Sequence, residues 1–229
     1  RVLSETLSPL RFPYHGFQML SSYVSSMAPA GRIAIASAFQ AADEIRKNQV
    51  IAYRMRQLRE SAPAFGEEGK EIWQTDPHWQ PLREAVERLL VTYDWGEAFV
   101  GLNLCLKPVV DGIFLTSFSR LARTRGDFHL EELFFSLGED SLWQRNWSRE
   151  LVRTAVADRP ENKEVIRRWI GKWRPLAVAV TRSFTEKFAS LSAASGAADG
   201  ACPIERVSSR VSFDELKAVS TSDEHTDEY

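Results

Sequence analysis

Apolar and polar residues alternate along this chain with a helical period almost throughout. From Phe12 to Met27, Phe17, Leu20, Tyr23, Val24 and Met27 recur at three- and four-residue spacing. Ala28-Pro29-Ala30-Gly31 breaks that run. A second helix is predicted from Arg32 to Glu60, with Phe39, Ile45, Ile51 and Met55 among its buried positions. Pro63, Gly66 and Gly69 mark 62–69 as a loop. Asp76-Pro77 reads as a cap and first-turn proline, followed by an apolar face of Leu82, Val86, Leu89, Leu90 and Tyr93. A longer, more hydrophobic stretch spans Trp95 to Arg125. Pro108 is expected to kink or divide it, because proline lacks the amide hydrogen and crowds the preceding turn.

Two further helices are predicted, from Glu131 to Ala157 and from Glu161 to Leu191, with Asp158-Arg159-Pro160 between them and a second possible kink at Pro175. The last carries Ile166, Trp169, Ile170 and Trp173 on one wide stripe. No strand-like alternation of convincing length is present. About six helices of roughly 15 to 30 residues imply an all-α antiparallel bundle larger than four helices. The character changes near residue 191. From Ser192 onward, eight Asp or Glu face three Lys or Arg, and Phe213 is the only internal aromatic. Such a segment cannot offset its ordering entropy, so 1–191 is read as the folded domain and 192–229 as a disordered acidic tail. The abrupt start at Arg1 suggests an N-terminally incomplete chain.

Composition narrows the classes. The 229 residues are 44% hydrophobic, with seven Trp and thirteen Phe, enough for a substantial core. A net charge of −2 with no basic stripe argues against nucleic acid. No uninterrupted apolar run approaches the roughly 18 residues of a membrane span, and no signal-peptide grammar opens the chain. Of two cysteines, Cys105 sits in an apolar helix and Cys202 in the tail, so the default is a reduced cytoplasmic protein without a disulfide.

One tetrapeptide carries chemical information. Glu44-x-x-Lys47 has the i, i+3 spacing by which Glu-x-x-His presents two ligands to one metal, but with an ammonium where the imidazole would be. An ammonium has no lone pair and can only pair with a carboxylate. None of His15, His78, His129 or His225 has a carboxylate three residues before it: Phe12, Thr75, Gly126 and Ser222 stand there. A di-iron bundle needs two such pairs. Taken by themselves, Glu44 with Lys47, and Asp43 with Arg46 or Lys47, read most simply as helix-surface ion pairs worth a few tenths of a kcal/mol. Trp143 with Trp147 and Trp169 with Trp173 lie four apart and serve either core or interface. No phosphate loop or nucleophile motif is present.

Several longer segments resemble the hydroxylase β subunit of soluble bacterial multicomponent monooxygenases, nearest the toluene, aromatic and alkene group. They are Leu10-Arg-Phe-Pro-Tyr-His-Gly-Phe-Gln-Met-Leu, Tyr23-Val-Ser-Ser-Met-Ala-Pro, Phe39-Gln-Ala-Ala-Asp-Glu, Tyr93-Asp-Trp-Gly-Glu-Ala-Phe-Val and Leu102-Asn-Leu-Cys-Leu-Lys-Pro. The resemblance extends from Leu10 to Phe188. It implies a ferritin-like, ribonucleotide-reductase-like bundle with a degenerate di-iron site. The family's catalytic α subunit carries Asp-Glu-Leu-Arg-His-Gly-Gln where this chain has Asp43-Glu-Ile-Arg-Lys-Asn-Gln49. By the same correspondence, Ser141 and Gln144 replace a second Glu and His, and Lys107 falls near the carboxylate of the intervening helix.

The resemblance therefore implies no metal or catalytic residue in this chain, with Glu44, Lys47, Lys107, Ser141 and Gln144 as the degenerate ligand positions. It also implies a buried Glu44–Lys47 pair. The di-iron centre is expected in the partner α subunit. The implied partners are the α and γ hydroxylase subunits, a regulatory protein, a ferredoxin and an NADH reductase. An independent ferritin-like metalloenzyme and a helical interaction module are the alternatives. The aromatic content predicts an obligate oligomer, with Phe12, Tyr14, Phe17, Tyr23, Trp143, Trp147, Trp169 and Trp173 as interface candidates.

Overall fold

The computed structural model describes residues 2–194, so the predicted acidic tail from residue 195 onward, with Cys202, lies outside the described residues, while 192–194 continue the last helix. The order is α1 (Val2–Leu7), α2 (Arg11–Met27), α3 (Gly31–Ser61), α4 (Gly69–Thr75), α5 (Gln80–Leu90), then a continuous helical rod, then α9 (Phe128–Asp158) and α10 (Asn162–Ala194). The rod comprises α6 (Trp95–Val100), α7 (Lys107–Asp111) and α8 (Ser119–Thr124), joined by two π-helical segments, Gly101–Leu106 and Gly112–Phe118. Among the described residues there is no strand.

The predicted helices appear within a few residues of their expected ends, and two short ones, α1 and α4, were not foreseen. Their turns follow from particular residues. Asp76 Oδ1 accepts from the His78 amide at 2.8 Å, which closes a turn before α5 begins at Gln80. Asp94 caps α6 by accepting from the amides of Gly96 and Glu97. Gly126, at φ +88°, makes the sharp reversal into α9, whose N-cap Asp127 accepts from the Leu130 amide and also binds Arg54 of α3 at 2.7 Å. Pro108 does not divide the rod. The wide π turns on either side take up its missing amide hydrogen within one continuous helix, and α10 runs unbroken past Pro175.

The rod is the core of the bundle. It is enclosed by α2 and α5, by α3 and α9, and by α10. By length and apolar composition Trp95–Thr124 would suffice to cross a membrane, unlike the shorter runs the sequence suggested. However, 83% of its most apolar window is buried inside the bundle, as expected of a central helix. Where α10 and α5 approach it, an added Cβ at Gly101 would meet Leu89 at 2.5 Å and Trp173 at 3.1 Å, so only glycine admits that packing. Trp79, Phe114 and Phe184 form the aromatic heart, with ring centroids 4.9–5.4 Å apart.

α3 buries Ile51 and Met55 as its pattern predicts, but the rest of its inward face is largely polar. Its buried stripe is Ser37, Gln40, Ala41, Glu44, Lys47, Ile51 and Met55. Phe39 is 63% exposed and Ile45 44% exposed, which corrects their assignment to the core.

Candidate functional site

Glu44 and Lys47 on α3, and Lys107 and Asp111 on α7, meet in the middle of the bundle. Both helices bring their pairs together by spacing: three residues on α3, four on α7. Lys47 Nζ donates to Glu44 Oε1 at 3.0 Å and Oε2 at 3.2 Å, and lies 3.5 Å from Asp111 Oδ1. Lys107 Nζ lies 2.9 Å from Glu44 Oε1 and donates to Asp111 Oδ2 at 2.6 Å. The Tyr14 hydroxyl donates to Asp111 Oδ1 at 3.3 Å, and the Lys47 ammonium stands 5.0 Å over the Tyr14 ring. None of the four charged side chains is more than 5% exposed. The surface-pair reading of Glu44 and Lys47 is therefore corrected: the pair is interior and part of a neutral tetrad of two ammoniums and two carboxylates.

Burial alone would push the Asp111 carboxyl up, but the Lys107 and then the Lys47 ammonium, with a hydrogen bond from Lys107, overcome it and hold the acid at about 2. For Lys107, burial works against the charged form, but Asp111 and Glu44 outweigh it and its pKa is raised. Lys47 has longer contacts, and here burial wins, so its pKa is lowered despite Asp111 and Glu44. Burial, then the Asp111 and Glu44 charges, raise the Tyr14 phenol well above its ordinary value and keep it a neutral donor.

A second polar layer flanks the tetrad. Asp43 accepts from Trp143 Nε1 at 2.9 Å and from Gln144 Nε2 at 2.8 Å, rather than pairing with Arg46 or Lys47. Arg46 instead reaches Asp140 and Ser136 of α9. Gln40 donates to Asn103 at 2.7 Å and accepts from Trp147 at 3.1 Å. Ser141 is buried one turn before Gln144 and donates to the Leu137 carbonyl at 3.3 Å. Glu44, Lys47 and Lys107 thus converge directly, while Ser141 and Gln144 lie alongside on α9. Cys105 is buried and its thiol is pushed up to about 12 by burial, so it is an inert core residue.

Sequence reasoning did not find Asp111, Tyr14 or the role of Asp43. A signal for the first existed: Lys107 and Asp111 are the only charges between Glu97 and Arg120, and they stand four residues apart in an apolar helix.

The aromatic interface candidates are also redistributed. Tyr14 and Phe17 are fully buried, and Trp173 nearly so while donating to Glu97 at 3.0 Å, so the chain's own core uses these three rings. Phe12 stacks on Trp73 at 5.8 Å, Tyr23 bonds the Tyr93 carbonyl, Trp143 and Trp147 are tied to α3, and Trp169 lies half-buried against Gly96. No tryptophan is exposed.

Fold and centre together define a ferritin-like bundle whose middle is held by ammonium–carboxylate pairs. Residues 1–159 match the family model described as Methane/Phenol/Alkene Hydroxylase, and the chain belongs to that family. It is 38% identical over 190 residues, 82% of this chain and 58% of the relative, to the β subunit of the hydroxylase component of the toluene-4-monooxygenase system of Ectopseudomonas mendocina. It is 31% identical over 157 residues to the hydroxylase small subunit of propane 2-monooxygenase from Gordonia sp. strain TY-5, covering 66% of this chain and 43% of that one. The chain thus spans less than two thirds of these relatives' length.

A solved structure of toluene 4-monooxygenase, with toluene bound in its resting active site, superposes with a TM-score of 0.78 at 38% identity, over 80% of this chain and 61% of that one. Xenon-pressurised phenol hydroxylase from Pseudomonas sp. OX1 shares the fold, with a TM-score of 0.79 at 21% identity over 95% of this chain and 63% of that one. A di-iron centre does not fit the described residues that line this interior site. The positions facing the two carboxylates supply ammonium groups without lone pairs, and neighbouring Gln144 and Ser141 supply only an amide and a hydroxyl.

Proposed function

We propose that this chain is the non-catalytic, structural β subunit of the hydroxylase component of a soluble cytoplasmic multicomponent monooxygenase. In this reading the partner α subunit carries the di-iron centre and oxidises aromatic or alkene hydrocarbons with O₂. Electrons reach it from NADH through a reductase and a ferredoxin, and a γ subunit and a regulatory protein complete the assembly. The observation that carries the reading is the neutral tetrad of Glu44, Lys47, Lys107 and Asp111, which gives the bundle a self-sufficient centre with nothing to activate oxygen. The higher identity to the toluene-4-monooxygenase relative than to the propane and phenol relatives supports a toluene-type hydroxylase.

The outer sides of α3 and α9 support a scaffold role. Ile35, Phe39 and Tyr53 on α3, and Phe128, Phe135 and Leu142 on α9, are each 46–66% exposed. Large side chains left outside while polar ones are buried suit a surface that a partner subunit covers. Purification of the chain alone and after co-expression with an α subunit tests the proposal. The chain alone is expected to turn over no hydrocarbon, and the complex to be active with its iron on α. Hydroxylation by the chain without α would defeat the reading.

A further inference from the structure

We propose that the apolar groove between α1 and α8 is the docking site for a segment of the chain's own C-terminal tail, residues 211–219, with Phe213 and Leu216 as its anchors. The groove has a volume of about 320 Å³ and is partly open to the surface. Leu3 of α1, Phe118 at the end of the second π segment, and Leu121 and Ala122 of α8 give it apolar walls. Two charged residues also line it. Asp127 is engaged internally, because it binds Arg54 at 2.7 Å and caps α9. Arg125 is exposed and places a guanidinium on the rim.

The described chain ends close by. Phe188 of α10 stacks on Phe118, a wall of the groove, with ring centroids 5.9 Å apart. From Phe188 to Ala194 α10 rises only about 9 Å, at about 1.5 Å per residue. The flexible span from Ala194 to Phe213 is about 25 Å, so the tether matches the distance and holds the segment at an effective concentration of about a millimolar. The segment itself suits the groove. Phe213 is the tail's only internal aromatic and Leu216 the only leucine after Ala194. Ser212-Phe-Asp-Glu215 has the Ser-x-x-Glu pattern of a capping box, with Val211 and Leu216 at the two positions of a hydrophobic staple. Phe213, Leu216 and Val219 follow at three-residue spacing, which sets them on one helix face. Asp214 and Glu215, beside the anchors, supply counter-charge for Arg125. Alone, the tail lacks the apolar area to offset its ordering entropy; the groove supplies that area, so ordering and docking occur together. This docking does not depend on the proposed place in an oxygenase.

The test uses the full 229-residue chain and reads amide hydrogen exchange over 211–219 together with the methyl resonances of Leu3 and Leu121. The segment's amides are expected to exchange at least about tenfold more slowly than an unstructured chain, independently of protein concentration. Phe213→Ser/Leu216→Ser, which alters no residue of the bundle, should restore the unstructured rate and shift the Leu3 and Leu121 resonances. On the groove side, Leu121→Asp should also remove the protection, and Arg125→Glu should reduce it at least about twofold, as for loss of a surface ion pair. Unprotected amides overturn the proposal. So does protection that persists in a folded Leu121→Asp chain, or a tail variant that leaves both methyl resonances unmoved. If Leu121→Asp does not fold, the tail variant and the two resonances decide. Protection that grows with protein concentration assigns the segment to a second copy, and protection that requires an added partner subunit assigns it to that partner; either result overturns the tethered docking.

Discussion

Lys47 and Lys107 carry the same charge in the same cavity, yet they are held unequally. Lys107 has the two shortest contacts of the tetrad, and its carboxylate neighbours outweigh burial, whereas burial prevails at Lys47. Lys107→Met is therefore expected to cost about 3–5 kcal/mol, the loss typical of breaking a buried pair, and Lys47→Met clearly less. Urea unfolding of the two variants measures the difference, and an equal or reversed order would contradict the assignment. Asp111 sets the acid limit. Its folded value of about 2 lies below the ordinary 3.8, so its contribution is complete above about pH 4 and disappears as pH falls through 2. The shift corresponds to about 2 kcal/mol. Melting curves between pH 5 and pH 2 should fall steeply in that window, and Asp111→Asn should flatten the fall.

At the scale of the element, α3 makes the least obvious choice. A helix rotated to bury Phe39 and Ile45 would turn out Ile51 and Met55, and it would also swing Gln40, Glu44 and Lys47 away from Asn103, Asp111 and Lys107. Asn103 would then lose its buried partner, and the Lys107–Asp111 pair would lose the carboxylate and ammonium of α3 that complete it, at a cost of the order of 1–3 kcal/mol or more. The polar stripe faces inward because the rod and α9 complete its hydrogen bonds. Two substitutions separate the orientations. Phe39→Gln should change the chain's own stability by no more than about 0.5 kcal/mol, as for an exposed site, while Ile51→Ala should cost about 2–5 kcal/mol. Denaturant titration of both decides it, and a large loss at Phe39 would mean the helix faces the other way. In the rod, Gly101→Ala should cost about 1–3 kcal/mol by forcing Leu89 and Trp173 aside, measured by the fall in Tm.

At the scale of the whole molecule, the apolar residues released by that rotation form the expected assembly surface. Phe39→Lys with Phe135→Lys should leave the helical circular-dichroism spectrum unchanged but reduce co-purification with an α subunit at least about tenfold, since buried aromatic anchors dominate interface energetics. Undiminished capture by the double variant would place the partner elsewhere. The six longer helices and the separation of Glu44 from a true Glu-x-x-His were legible in the chain, because each depends on neighbours within a few residues. The sequence motifs also sufficed to indicate the hydroxylase family. Three things were decided only by tertiary packing: the partnership of Asp111 and Tyr14 with Lys47, the inward rotation of α3, and the use of Tyr14, Phe17 and Trp173 as core. Periodicity reports which residues share a helix face, not which face finds partners. For α3 the answer rested on groups 63 and more residues away, and the free energy of satisfying buried charge and hydrogen bonds outweighed that of hiding Phe39 and Ile45.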